Sequence, residues 1–402
     1  MKMKRCILAA FFLVILTYAY GQQQVKGVVL DASTNQPVSS ASIFLNNTSI
    51  GTKSDVQGRF ELVVPKGKFD LIVSSIGYQS FNQTIYSGDT IAHFRILLRQ
   101  KATEMETIII EPFIKDGWKI FGKFFLENFI GTSTYASGCV LKNPEVLRFR
   151  HSKTTNELSV IALEPLRIEN SSLGYTIHYQ MESFVYDFKS RYLFFTGYPF
   201  FEPMKGGEGK QKRWMKNRRE VYYGSQMHFM RSVYLNRLKE EGFEVRRLQK
   251  IPNLEKQRVK ATYDSIKKHN RTPGGIFISS SIIQDSAAYY EKILEQEDFF
   301  ELIGKDLLTG DSIAYALEPT IAGMDFPDFL LVIFKNKLAD PEYIRLFPES
   351  STAMMSQIFL INGNPLEVYG NGSYYHPEDL LNQGYWAWFE KLATMLPYDY
   401  KP

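Results

Sequence analysis

Two successive runs between Phe60 and Val73 place apolar side chains at every second position, Phe60-Leu62-Val64 and Phe69-Leu71-Val73, with Pro65 and Gly67 between them. Alternate residues of a β-strand face opposite ways, so each run buries one face, with Asp70, Ile72 and Ser74 on the other face of the second. Between strands, Asp55 is placed to accept a backbone hydrogen bond two residues on, and Gly58 supplies the positive φ that closes such a turn. Short apolar stretches broken by turn residues continue from Gln24 to about Arg99, the pattern of a small antiparallel sandwich.

Particular residues in this segment carry a resemblance. Gly27 with Asp31, Pro37, Ala41 with Ile43, Gly51, Ser54-Asp55 with Gly58 and Phe60, and Ser75 with Gly77-Tyr78 together resemble the carboxypeptidase-regulatory-like domain, over roughly a fifth of the chain. The resemblance implies an all-β transthyretin-like sandwich of about seven strands over residues 22–99. It also implies an envelope location in a Gram-negative bacterium, because such modules often precede the plug of TonB-dependent outer-membrane transporters. It brings no catalytic residues with it.

A zinc carboxypeptidase is excluded on the residues themselves. The six histidines, His93, His151, His178, His228, His269 and His376, are scattered; none has a Glu three positions later, and no HExxH occurs. No metal and no cofactor are expected. A transporter barrel is not expected either, since it needs many more alternating strands of about ten residues, and the final stretch MLPYDYKP is unlike a barrel's last strand.

Lys2, Lys4 and Arg5 precede an apolar run from Cys6 to Leu16, with Ala19 and Gly21 after it, so residues 1–21 read as a cleaved secretory signal. The run is shorter than a membrane span, and no transmembrane segment is expected in the mature chain. Removal of Cys6 leaves Cys139 as the only cysteine, so no internal disulfide can form. The formal net charge is +4, of which Lys2, Lys4 and Arg5 supply three, so the mature chain carries +1 and has no electrostatic case for nucleic acid. The expected location is the periplasm or the outer membrane, with the cell surface open.

Residues 100–112 read as a polar connector followed by a strand at Ile108-Ile109-Ile110. Residues 113–402 read as a larger α+β region with an antiparallel sheet and several helices, either one domain or two subdomains with a break near 271–275. Asp116 is expected to cap a helix reaching Phe129. Period-two alternation over 145–195 predicts the sheet, with Tyr175, Ile177 and Tyr179 sharing a face. A helix is expected over 213–241, interrupted at Gly224-Ser225, with Met215, Tyr222 and Phe229 on its buried stripe. Residues 285–303 read as helix, IAYAL and DFLLVIF as strands, MSQIFLING with NPLEVYG as a hairpin, and 377–395 as a helix with an aromatic face.

Several patterns invite functional readings. Gly117 to Lys123 has phosphate-loop spacing, but Phe124 stands where Ser or Thr would hold magnesium, and chance is the better account. The segment KGGEGKQKRWMKNRRE gathers Lys212, Arg213, Arg218 and Arg219 with other cations at a helix entry, suited to a lipid phosphate or acidic glycan, although a solvated helix face needs no ligand. Two aromatic stretches, Tyr192 to Phe201 and Tyr374 to Trp388 with Tyr385 and Trp386, suit stacking on sugar rings, as they equally suit a core. Ser265-Ile266-Lys267-Lys268 matches SxxK without its companion motifs. Cys139, with His151 or His178, is either a nucleophile or an inert core thiol. The expected function is a binding protein for a glycan or envelope component, with outer-membrane proteins as candidate partners; the alternative is a glycan or peptide hydrolase whose site forms only in the fold.

Overall fold

The computed structural model describes residues 23–65, 67–86, 93–101, 112–269 and 288–402. The expected signal peptide, the strand at 108–110 and the break at 271–275 lie outside the described residues. No helix among the described residues is long and apolar enough to cross a membrane.

Among the described residues the N-terminal region is all β, with seven strands in two sheets. One sheet, in the order β4-β1-β7, comprises Arg59–Val64, Gln23–Asp31 and His93–Leu98; the other, in the order β3-β2-β5-β6, comprises Gly51–Lys53, Ser42–Leu45, Lys68–Ser74 and Phe81–Tyr86. Phe60, Leu62 and Val64 meet Phe69, Leu71 and Val73 between the sheets in a core of their own. Asp55 Oδ1 accepts from the backbone of Gln57 and Arg59, and Gly58 has φ 73°. Asp31 closes the far end of the module, accepting from the backbone of Thr34, Gln100 Nε2, the backbone of Ser33 and the hydroxyl of Tyr78. These donors hold its carboxyl far below the usual carboxylate range.

The described residues that follow are α+β, with three antiparallel sheets among them. The first contains β8 (Cys139–Leu141), β9 (Leu147–Ser152), β10 (Glu157–Ala162), β11 (Leu166–Asn170), β12 (Tyr175–Asp187) and β13 (Tyr192–Pro203). The second runs β15-β14-β18-β19-β21 through Phe299–Ile303, Phe243–Pro252, Phe329–Leu338, Ala353–Leu360 and Leu380–Gly384. The third, β16-β17-β20, comprises Ala314–Glu318, Ile321–Met324 and Leu366–Tyr369. A single apolar cluster from Phe125 to Leu396 joins all three sheets. Tyr175, Ile177 and Tyr179 are buried within it, as the alternation requires.

Several expected elements are corrected. Asp116 adopts a left-handed conformation and gives no side-chain cap to the helix Gly117–Phe129. The phosphate-loop spacing falls on that helix: a side chain at Gly117 would collide with Phe149, and one at Gly122 with Trp118, so these glycines permit packing. The helix expected over 213–241 is two, Glu208–Tyr222 and Gln226–Tyr234, and Met215 is 56% exposed while Trp214 takes the buried position. The break is built from the residues that mark it. Gly224 has φ 84°, its N–H donates to His228 Nδ1, and Ser225 caps the second helix by accepting from the backbone of His228. Residues 299–303 form strand β15 instead of continuing a helix, because they pair with Leu248–Pro252. The expected hairpin does not form: β19 has β18 and β21 on its two sides, so β20 pairs with β17 in another sheet. The long C-terminal helix is replaced by strand β21, a short helix Tyr385–Phe389 and a 3₁₀ turn, since β19 pairs with residues 380–384.

The sandwich docks on the larger region. Its Asn47 N–H donates to Pro199 O, Thr48 O accepts from Phe201 N–H, and Tyr398 N–H donates to Asn47 O. Ser49 is hydrogen-bonded to Asp399 through its N–H at 2.8 Å and through its hydroxyl. Lys68 reaches Glu367 at 2.7 Å and lies 4.0 Å from the centre of the Tyr375 ring.

The Lys68–Glu367 pair is half shielded from water, and hydrogen bonds between charged partners contribute about 1.5–3 kcal/mol. Burial acts to raise the Glu367 pKa, but the hydrogen bonds from Lys68 and Tyr369 outweigh it, so the folded value lies below the ordinary 4.5. The pair's contribution is therefore present above pH 4.5 and lost as pH falls through the folded value. Urea unfolding of Lys68→Met, Glu367→Gln and the double variant is expected to give a coupling energy of about 1–3 kcal/mol at pH 7 that fades in acid. Additive single effects would show that the pair does not couple the two regions.

Candidate functional site

Where the sandwich meets the larger region, a cavity of about 1080 Å³ opens. Its walls include the β2–β3 turn with Asn46 and Asn47, residues 68–70 of β5, residues 190–199 at and after the β12–β13 turn, the start of the helix Gln226–Tyr234, residues 371–378, and residues 380–391. The two aromatic stretches, far apart in the chain, thus line one space. Antiparallel pairing of β12 with β13 places Tyr198 beside Gln180, and Asn82 of the sandwich donates to the Tyr198 hydroxyl at 3.0 Å.

Gln226 organises the inner wall. Its backbone N–H donates to Glu390 Oε1 at 2.8 Å, its Nε2 donates to Asn382 Oδ1 at 3.2 Å, and its Oε1 accepts from the Tyr374 hydroxyl at 3.2 Å. This network fixes side chains from three elements and engages one oxygen of the Glu390 carboxyl. Where the sandwich reaches the cavity, the Oδ1 atoms of Asn46 and Asn47 are buried without a hydrogen-bond partner among the described residues. Buried acceptors of this kind are costly unless something supplies a donor.

Glu390 and Lys391 are the charged pair of the inner wall. Burial pushes the Glu390 carboxyl up to about 7, with the Gln226 N–H and the charge of Lys391 opposing the rise. Burial also lowers Lys391 to about 8, with Glu390 opposing. A carboxyl and an amine that both change charge near neutrality are what a low-dielectric pocket produces, and such groups concentrate at functional sites.

The structure separates the expected site residues. Trp388 stands on the cavity wall, anchored by its Nε1 donating to Thr132 Oγ1 at 2.9 Å. Tyr385 and Trp386 are core residues, 0% and 2% exposed. Phe389 stacks on Tyr385, Phe229 packs on Trp386, and Trp386 Nε1 donates to Gly224 O, so neither ring offers a free face to a sugar. Lys212, Arg213 and Arg219 lie on the helix Glu208–Tyr222, away from the cavity lining, with Lys212 and Arg213 on its solvent side. Arg218 instead holds the β11–β12 turn, donating to Leu173 O and Gly174 O and lying 3.9 Å over Tyr175. The SxxK residues lie on the helix Leu254–His269. Among the described residues, no group of His, Cys, Asp and Glu is placed to hold a metal.

Cys139 lies on edge strand β8, with Tyr135 O as its hydrogen-bond acceptor. His151 pairs with Asn156 and His178 with Glu202, so neither serves the thiol. Sequence reasoning missed Asn46, Asn47, Gln226, Glu390 and Lys391. The signal that could have pointed to them is the adjacent Glu390-Lys391 pair set in the aromatic run YWAWFEKL.

Residues 25–110 match the family described as the CarboxypepD_reg-like domain. The N-terminal sandwich is a CarboxypepD_reg-like domain. The TonB-dependent receptor SusC of Bacteroides thetaiotaomicron is 30% identical over 104 residues, which span 26% of this chain and 10% of the receptor. Among solved structures, a Bacteroides fragilis protein described as membrane-associated and of unknown function shares 11% identity at a TM-score of 0.16, covering 86% of this chain and 93% of that one. A 9R-lipoxygenase from Cyanothece has the same identity and TM-score over 52% of this chain and 48% of its own. Neither superposition is close enough to transfer fold or function.

Two measurements check the electrostatics. Because the folded pKa of Glu390 is raised, the native state holds a proton that the unfolded chain has lost, so this group's contribution to stability declines as pH rises from 4.5 to about 7. Urea unfolding at pH 5 and pH 8 should show that decline in the parent and a smaller one in Glu390→Gln; equal slopes would refute the raised value. Burial raises the Cys139 thiol to about 12, so a thiol probe at pH 8 is expected to label it on denaturation and only slowly before.

Proposed function

We propose that this protein is an exported envelope protein that binds a glycan or similarly hydroxylated envelope component in the cleft, with the CarboxypepD_reg-like domain positioning and completing the site. The observation that carries this reading is the cleft's combination of aromatic rings and side-chain amides. Tyr198, Tyr375 and Trp388 supply flat apolar surface, while Asn46, Asn47, Gln226 and Asn382 bring side-chain amides to the same walls. Sugars need both: rings pack against their C–H faces, and fixed polar groups read the hydroxyl rim. The apolar-run signal at residues 6–16 and the similarity of the sandwich region to a TonB-dependent receptor support an envelope setting.

A second reading rests on Glu390. A carboxyl with a pKa of about 7 on a cleft wall is suited to give or take a proton at neutral pH, as a hydrolase requires.

Calorimetry of the full chain against bacterial and dietary oligosaccharides, followed by product analysis, tests both readings. Binding without turnover, weakened about tenfold or more in Trp388→Ala and Tyr198→Ala, is the expected outcome, a tenfold loss being about 1.4 kcal/mol. Turnover abolished by Glu390→Gln would replace the binding reading with the hydrolase. Affinity unchanged in both ring variants would place any sugar site elsewhere.

A further inference from the structure

Resting on the glycan reading above, we infer that the cleft takes an acidic glycan: an oligosaccharide whose carboxylate pairs with Lys391 inside the cleft, with Arg191 at the exposed end supplying a second cation.

The inference follows from which charges on the wall already have partners. Every carboxylate that lines the cleft is engaged by the protein. Asp70 accepts from Thr84 Oγ1 at 2.8 Å and from the Tyr375 hydroxyl at 3.4 Å. Glu127 is 3.7 Å from Lys123, Glu378 is 3.4 Å from His376, and Glu390 accepts from Gln226. The cations divide differently. Lys68 is spent on Glu367 and on the ring of Tyr375. Lys391 Nζ has no carboxylate within 4 Å among the described residues; it feels the charge of the adjacent Glu390 and lies 5.6 Å from the centre of the Phe195 ring. Arg191 sits on the β12–β13 turn in a left-handed conformation, exposed and without an ion pair among the described residues.

An ammonium on a buried wall without a direct ion pair is expensive, and because the neighbouring Glu390 carboxyl is engaged by the Gln226 N–H, the amine is available to a carboxylate brought by a ligand. The aromatic surface beside it selects what carries that carboxylate. Lys391 lies near Phe195, with Trp388 and Tyr198 also on the wall, so a ring-shaped ligand that stacks on them can present an acidic substituent to the amine. A uronic acid has that shape and charge. Glu390 adjoins Lys391 and, with its carboxyl partly protonated near neutrality, can donate a hydrogen bond to the same substituent where an ionised neighbour would repel it.

The test uses the full chain and paired oligosaccharides of glucuronic and galacturonic acid, each compared by calorimetry with its carboxyl-reduced counterpart of identical linkage. The acidic member of a pair is expected to bind at least tenfold more tightly. That preference should be lost in Lys391→Met, retained in Lys391→Arg and reduced about threefold in Arg191→Met, a turn substitution that leaves the core untouched. Equal affinity for acidic and reduced forms, or a preference unaltered in Lys391→Met, overturns the acidic assignment while leaving the glycan reading in place. Absence of binding by every pair and by neutral glycans overturns both. Thermal unfolding of each variant shows whether a lost preference reflects a lost fold.

Discussion

The geometry of this protein depends on how the edge of strand β13 is used. A strand edge presents unpaired N–H and C=O groups that must find partners, and here the sandwich supplies them. Pro199 O and Phe201 N–H are taken by Asn47 and Thr48, and Phe44 packs its ring 5.3 Å from that of Phe200. Thr48 is rigid enough to serve, since its hydroxyl donates to Leu45 O and accepts from Ile50 N–H within its own turn. The C-terminal segment completes the joint through Tyr398 and Asp399. Two regions with separate apolar cores are thereby held at a fixed relation, and the space left between them is the cleft.

The same joint explains the cleft's chemistry. Asn46 and Asn47 hold the turn with their backbone groups, which leaves their side-chain oxygens buried at the joint without donors among the described residues. On the other side, Gln226 follows a helix break that only a glycine tolerates. Gly224 is left-handed, and an added Cβ would meet Met354 and Phe334. The break turns the helix start toward the cavity, so that the Gln226 N–H, unpaired within its own helix, is free to bind Glu390. Backbone conformation, and not side-chain composition alone, sets the pair of titrating groups in place.

Legibility in the sequence followed the range of the interaction. Phe60 and Leu62, Phe69 and Leu71, and Tyr175 and Ile177 showed their buried faces because period-two alternation is local. The Gly224-Ser225 break was readable for the same reason. Partner choice was not readable. Residues 353–370 contain two good strands around Asn362-Gly363, yet β19 is claimed on both sides by β18 and β21, and a hairpin signal carries no information about that competition. Residues 380–384 joined a sheet against their aromatic, helix-like surroundings because β19 had an open edge. The aromatic stretches were singled out as a group but not divided: Trp386 is fully buried while Trp388 is half-buried at the cavity, and that difference depends on the orientation of one short helix.

By itself, the sequence determined the CarboxypepD_reg-like sandwich, the α+β character of the larger C-terminal region and the lack of zinc-peptidase spacing, all of which rest on residues near one another or on simple counts. Tertiary structure alone decided that the sandwich docks on β13, that Tyr385 and Trp386 are core while Trp388 lines a cleft, and that Glu390 and Lys391 share its wall. Those outcomes depend on contacts between residues as far apart as Asn47 and Tyr398, and burial, which shifts both titrating groups, exists only once such contacts have excluded water.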